Sequence, residues 1–255
     1  MFRKIRIAVL LLLLVHVGVG AWLLRARTAA WNQTLRVAIH PVAADGSPRT
    51  ASYVDALTGE EFAPVENFLV DEAKRYGLAL YDPVDVKRLP RVAAIPPAPP
   101  FGGSRLDVIV WSLQLRYWVW RHGEVDGPSP HVRLFVLFHD PALGTRVPHS
   151  VGLPQGLIGV VHVFATPTQA AENAVVIAHE LLHTLGASDK YDPGTNQPNY
   201  PDGYAEPARN PRLPQDFAEV MAGRIPLSTT HAEMPRSLDH ALIGSLTAKE
   251  IGWRR

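Results

Sequence analysis

Residues 175–192 read VVIAHELLHTLGASDKYD. His179, Glu180 and His183 stand among Val175, Val176, Ile177, Ala178, Leu181, Leu182 and Leu185, so a helix here is apolar nearly all round and belongs in the interior. Polar side chains in such a helix are costly unless something satisfies them. His179 and His183 are four apart. On a helix that puts both imidazoles on one face, one turn apart, where they can bind one zinc ion. Glu180 leans over the same edge, in the position of a general base acting on a zinc-activated water. A plain core hydrogen-bond network among the three is the blander alternative.

The flanking residues delimit this helix. Thr166, Pro167 and Gln169 offer an N-cap, a proline at the first helical position and a capping-box partner. Gly186 is placed to end the helix near Leu185 in a left-handed turn. A catalytic zinc takes three protein ligands as a rule. With the helix broken at Gly186, the chain can turn back and offer Asp189 to the same metal. Glu206 and Glu219 are alternative third ligands, although neither lies in a convincing helix.

Elsewhere the pattern alternates between short elements and turns. TLRVAIHPV reads as a strand ending at Pro41, and TGEEFAPVENFLVDEAKRYGL as a helix stopped by Gly77. LPRVAAIPPAPPFGGS is a Pro/Gly-rich loop. Three strand candidates follow: LDVIVWSLQLRYWVW, HVRLFVLFHD and GLIGVVHVFAT. Their turn signals suit a small mixed or antiparallel sheet. Residues 189–214 read as a long surface loop, PQDFAEVMAGRIP as a short helical turn, and SLDHALIGSLTAKEIGW as a terminal helix or helix pair with Thr247 as a cap. His162 is expected at a solvent-facing strand position or lining the cleft. His40, His122, His131, His139, His149 and His240 are expected at ordinary surface positions.

The N-terminus is of a different kind. Arg3, Lys4 and Arg6 precede an uninterrupted apolar run from Ile7 to Leu24, near the ~20 residues that span a bilayer as a helix. The run is long for a cleavable signal, so residues 1–27 are expected to be an uncleaved signal anchor, with secretion after cleavage as the alternative. The basic flank puts the N-terminus in the cytoplasm and residues 28–255 in the periplasm or outside the cell. The chain has 255 residues, room for a single sizeable domain after that segment. It has no cysteine, which excludes disulfides, thiolate zinc sites and iron–sulfur clusters. Its formal net charge of +1 gives no field that would favour nucleic acid as a partner.

The series His179-Glu180-x-x-His183-x-x-Gly186-x-x-Asp189 resembles the metzincin zinc peptidases, and aspartate at the third ligand position is similar to the snapalysin-type variant. The resemblance covers about residues 156–224. It implies an α+β zincin fold: a small twisted mixed sheet, a central active-site helix and a loop-rich C-terminal subdomain. It also implies a methionine in a tight turn below the zinc, for which FAEVMAGR offers Met221, and an extended substrate along the edge of the last strand. The sequence departs from the clan in two respects. Asp189 stands in place of histidine and lowers the net positive charge at the metal. Ala222, Gly223, Arg224 and Ile225 follow Met221, with no tyrosine to hold the reacting carbonyl. Tyr191, Tyr200, Tyr204 and His231 are candidates for that role.

These features together lead to the expectation of a membrane-anchored zinc endopeptidase acting on protein or peptide substrates. Glu180 would serve as general base, and His179, His183 and Asp189 would hold Zn2+. An inactive zinc-stabilised binding module and a hydrolase of cell-wall peptides are the competing readings.

Overall fold

The computed structural model describes Arg6 and residues 30–255, except residues 101, 124, 126, 155 and 255. A five-stranded sheet organises the chain. Its strands are β1 (Leu35–Ala43), β2 (Val84–Arg88), β3 (Val132–His139), β4 (Val151–Leu153) and β5 (Ile158–Phe164), in the order β2-β1-β3-β5-β4. The first four in that order run parallel, and β4 pairs antiparallel to β5 at the edge. The sheet is therefore mixed, within a mixed α/β architecture compatible with α+β.

Helices cover both faces. On one lie α1 (Pro48–Ala56), α2 (Ala63–Arg75) and α4 (Ala170–Leu185); on the other lies α3 (Arg105–His122). The alternation of the central strands sorts the core accordingly. Leu134, Val136, Phe138, Val161 and Val163 pack with Ala174, Ile177, Ala178 and Leu181 of α4. Phe135, Leu137, Ile158 and Val160 pack with Trp111, Leu115 and Val119 of α3. Successive residues of a strand point to opposite faces, so the inner parallel strands β1, β3 and β5 are apolar almost continuously, while the edge strand β2 is charged.

The long segment LDVIVWSLQLRYWVW is helical, where the sequence suggested a strand. Ser104 caps it: its hydroxyl accepts from the Asp107 amide while the Asp107 carboxylate accepts from the Ser104 amide. This reciprocal cap satisfies donors that a helix start otherwise leaves orphaned. The correction also changes the sheet, because α3 carries the chain from β2 to β3 and so permits parallel pairing. Likewise β1 does not end at Pro41. The Ile39 and Pro41 carbonyls face the β2 side, accepting from Leu89 and Val92. The missing proline N–H therefore falls beyond the last β2 pair, Ile39↔Arg88, and breaks no ladder bond.

The C-terminal part is mostly turns. It holds β6 (Ala218–Glu219) paired with β9 (Ala241–Leu242), β7 (Ile225–Pro226) paired with β8 (Ala232–Glu233), and α5 (Ser245–Glu250). No helix forms at PQDFAEVMAGRIP; β6 and a turn occupy it. Thr247 lies inside α5 and donates to the buried Glu219 carboxylate instead of capping the helix. Glu72 of α2 accepts from the Ile243 amide, and Trp31 donates to the Ile251 carbonyl at 2.7 Å. These bonds fasten the C-terminal part to the layer that carries α4.

The expected membrane localisation is corrected. Among the described residues no helix is long and apolar enough to cross a membrane. The 18-residue α3 carries Arg105, Asp107, Arg116 and Arg121, which explains its exclusion. The expected anchor, residues 1–27, lies outside the described residues apart from Arg6.

Candidate metal centre

The site is built on the last two turns of α4. A short 3-10 turn, Pro167–Gln169, leads into the helix; Thr166 caps that turn's start without a side-chain cap bond. At the other end Gly186 takes φ 105°, a left-handed conformation that suits glycine, and the chain reverses. One close approach sets α4 against the sheet, and a second lets neighbouring strands pack beneath it. A Cβ on Gly152 of β4 would lie 2.5 Å from the His183 Cβ and 2.8 Å from the Glu180 carbonyl oxygen. A Cβ on Gly159 of β5 would lie 2.5 Å from Leu134. Glycine at 152 thus lets the edge strand lie directly on the turn that carries the histidines.

Three polar atoms converge where the chain reverses. The Nε2 atoms of His179 and His183 are 3.0 Å apart. The Asp189 Oδ1 lies 3.2 Å from the first and 3.1 Å from the second. Each imidazole is held from behind at 2.9 Å, His179 Nδ1 by the Val220 carbonyl and His183 Nδ1 by the Ala187 carbonyl. Both Nδ1 atoms must therefore be N–H donors, and both Nε2 atoms are turned inward. Two Nε2 atoms and a carboxylate oxygen facing one point need positive charge between them, which protons on the Nε2 atoms or a metal cation can supply. A tetrahedral ion held at ~2.0–2.1 Å spaces its ligand atoms by ~3.3 Å, within a few tenths of an ångström of this triangle.

His179, Glu180 and His183 form a group that can hold a metal ion. Glu180 is buried, and its Oε2 has no hydrogen-bond partner among the described residues. An orphaned buried carboxylate oxygen beside two inward-facing imidazoles fits a site made for an additional polar species. Burial pushes the Glu180 pKa up; the two histidines pull it down, and Asp189 raises it further. For Asp189 burial acts upward, but the hydrogen bonds from His179 and His183 outweigh it and hold the carboxyl well below its usual range. His179 is raised: burial acts against its charge, and the Asp189 hydrogen bond and the Glu180 charge overcome that.

Met221 is fully buried in the turn after β6. Its carbonyl accepts from the Lys190 amide at 3.0 Å, next to Asp189, while the preceding Val220 carbonyl holds His179. One turn thus touches both ends of the triangle. The other third-ligand candidates are engaged elsewhere. The Glu219 carboxylate accepts from the Gly244 and Ala222 amides and the Thr247 hydroxyl, and Glu206 pairs with Arg209 at 3.4 Å. Of the candidates for holding a carbonyl, Tyr191 is in the field of the site: burial first, then the Asp189 and Glu180 charges, raises its pKa. Tyr200 stacks edge-on against Tyr204 and beneath Arg212, and His231 pairs with Glu233.

Two expectations about β5 need correction. Its first half is not a free edge, because β4 pairs with Ile158–Val160. His162 is buried on the α3 side of the sheet, 2.8 Å from His139 Nε2, rather than solvent-facing or lining the cleft. His40 is buried too, stacked on Phe135, where a surface position was expected. The clefts of about 450 and 470 Å³ lie against α2 and the C-terminal segment, and neither is lined by the histidine pair.

No protein-family model matches this chain, and no curated protein is significantly similar to it. The chemistry of the site alone carries the functional conclusion. Sequence reasoning missed the backbone carbonyls of Val220 and Ala187, which no residue type marks, and the packing role of Gly152.

Proposed function

We propose that this chain is a zinc-dependent metallopeptidase of the metzincin type, with an α+β zincin fold. The observation that carries the reading is the convergence of the His179, His183 and Asp189 ligand atoms within 3.0–3.2 Å, beside a buried Glu180 with an unpartnered oxygen. Two neutral imidazoles and one carboxylate, with a position left open, are a ligand set characteristic of catalytic zinc. When bound, the ion supplies Lewis acidity, acidifying water and polarising a substrate carbonyl.

The protein's own groups do the rest. The Val220 and Ala187 carbonyls fix the tautomer and aim of the two imidazoles, as partners behind metal-bound histidines do. Glu180, its basicity raised by burial, accepts the proton of the attacking water and returns it to the leaving amine. Met221 is an apolar floor and not a ligand. The outer edge of β4 is the one a substrate strand can use, because β5 is covered there and β4 lies on His183 through Gly152. An extended peptide added to that edge passes beside the triangle.

The test is Glu180→Gln in the zinc-loaded chain, assayed on a peptide library. Turnover is expected to fall by about 10²–10⁴-fold with zinc content unchanged. Undiminished cleavage in the variant would remove Glu180 from the mechanism. A wild-type chain that binds zinc and cleaves no peptide would reduce the site to a metal-stabilised binding module.

A further inference from the structure

Helix α3 is apolar on two opposite faces. Trp111, Leu115 and Val119 are buried against the sheet. Leu106, Ile109, Val110, Leu113, Tyr117 and Trp120 form a second stripe that is 50% to 74% exposed. Within it Leu106, Val110, Leu113, Tyr117 and Trp120 follow a spacing of four, three, four and three, the alternation of a coiled-coil seam. Tyr117 and Trp120 already pack together, with ring centroids 5.8 Å apart. The six side chains present roughly 600–700 Å², at or beyond the ~300–600 Å² of an ordinary monomer's largest patch. A helix that is apolar all round is normally covered all round.

The charges beside the seam indicate what covers it. Asp107, Gln114 and Arg121 stand seven apart along one flank. If a second α3 packs antiparallel about Gln114, Asp107 meets Arg121 of the partner subunit, and the same pair recurs at the other end. Gln114 meets its own copy, and the two helix dipoles oppose. A parallel pair would instead place like charges at the same level. Arg116, on the other flank, is turned onto Gly156 at the sheet side. Two such faces bury ~1,200 Å² or more, enough for specific association.

We propose that the exposed face of α3 is the interface of a homodimer, closed by antiparallel α3–α3 packing between two copies of this chain. The association lies on the face of the sheet away from His179 and His183 and leaves the β4 edge free. It does not depend on the function proposed for that site.

Sedimentation velocity of the full chain in a non-denaturing detergent, at micromolar concentration, tests it. The wild type is expected to sediment as a dimer. Leu113→Glu, at the centre of the seam, is expected to be monomeric with an unchanged far-UV circular dichroism spectrum and a thermal midpoint that no longer depends on protein concentration, and Arg121→Glu is expected to weaken the dimer about tenfold. The chain lacks cysteine, so Arg105→Cys and Gln114→Cys each carry a single nitroxide without further change. Antiparallel packing brings the labels at 114 close together and holds those at 105 roughly 27 Å or more apart. Short distances at both positions would overturn the antiparallel arrangement. A wild-type monomer, as when the chain's own residues 1–29 cover the stripe, would overturn the dimer. So would a dimer that survives Leu113→Glu, as when those residues themselves associate.

Discussion

Gly152→Ala tests whether the edge strand and the histidine helix form one unit. The added Cβ would stand 2.5 Å from the His183 Cβ, 2.8 Å from the Glu180 carbonyl oxygen and 3.1 Å from the Thr184 amide. The first is a side-chain stem and the other two are helix backbone, so no flexible tip is available to swing away. β4 must lift or α4 must shift. Overpacking of this kind costs about 1–3 kcal/mol. For a chain of this size that lowers the thermal midpoint by roughly 3–10 °C. Because the displaced atoms belong to His183 and to the turn carrying Glu180, zinc affinity should fall by about 10–100-fold, as when support behind a ligand is lost. Gly144→Ala is the control, since its Cβ would meet nothing closer than the Arg146 carbonyl oxygen at 3.7 Å. Differential scanning calorimetry and a competitive zinc titration read the two effects. Wild-type stability and zinc affinity in Gly152→Ala would refute the account of why this strand carries glycine.

Met221→Ala removes a fully buried side chain and should cost about 2–5 kcal/mol in denaturant unfolding while zinc stoichiometry is kept; loss of the metal with the fold intact would make Met221 more than a floor. His40 is buried with its pKa lowered to about 4, first by burial and then by the Arg133 charge. Above pH ~6.5 neither state protonates it, and its full contribution to stability is present. Between ~6.5 and 4 only the unfolded chain takes up the proton, so stability falls with pH by up to about 3 kcal/mol from this residue and levels off below. His40→Phe should therefore show a shallower loss of stability than wild type between pH 7 and 4.5 in urea titrations, and an identical slope would contradict the assignment.

The sequence was most legible where one signal dominated. The uniform apolar setting of His179 and His183 and the stop at Gly186 place α4 and its end at Leu185, while its start lies three residues after Pro167, where a 3-10 turn replaces the expected capping box. HVRLFVLFHD and GLIGVVHVFAT give β3 and β5 because each is a short apolar run bounded by turn signals, aromatic in the first and β-branched in the second. Segment 105–122 misled because it is apolar on both faces, which blurs the helical period into something like alternation; Ser104 and Asp107 were the local clue. Reading it as a strand removed the crossover between β2 and β3, so the parallel sheet was lost with it. β4 has only three residues, too few for any periodicity. The triangle's third corner, Asp189, followed from the break at Gly186. The carbonyls that aim the histidines come from Ala187 and from Val220, the latter 41 residues away; only the fold brings Val220 there. His162 and His40 were misplaced because helices and the segments between them cover both faces of the sheet.

The most direct measurement is the zinc content of the full chain after equilibrium dialysis, taken beside His183→Ala and Asp189→Ala. The account predicts about one tightly held zinc per chain and its loss or severe weakening in both variants, because a catalytic site takes three protein ligands and each variant leaves two. A wild-type chain that retains no zinc would contradict it, and so would Asp189→Ala binding zinc as tightly as the wild type.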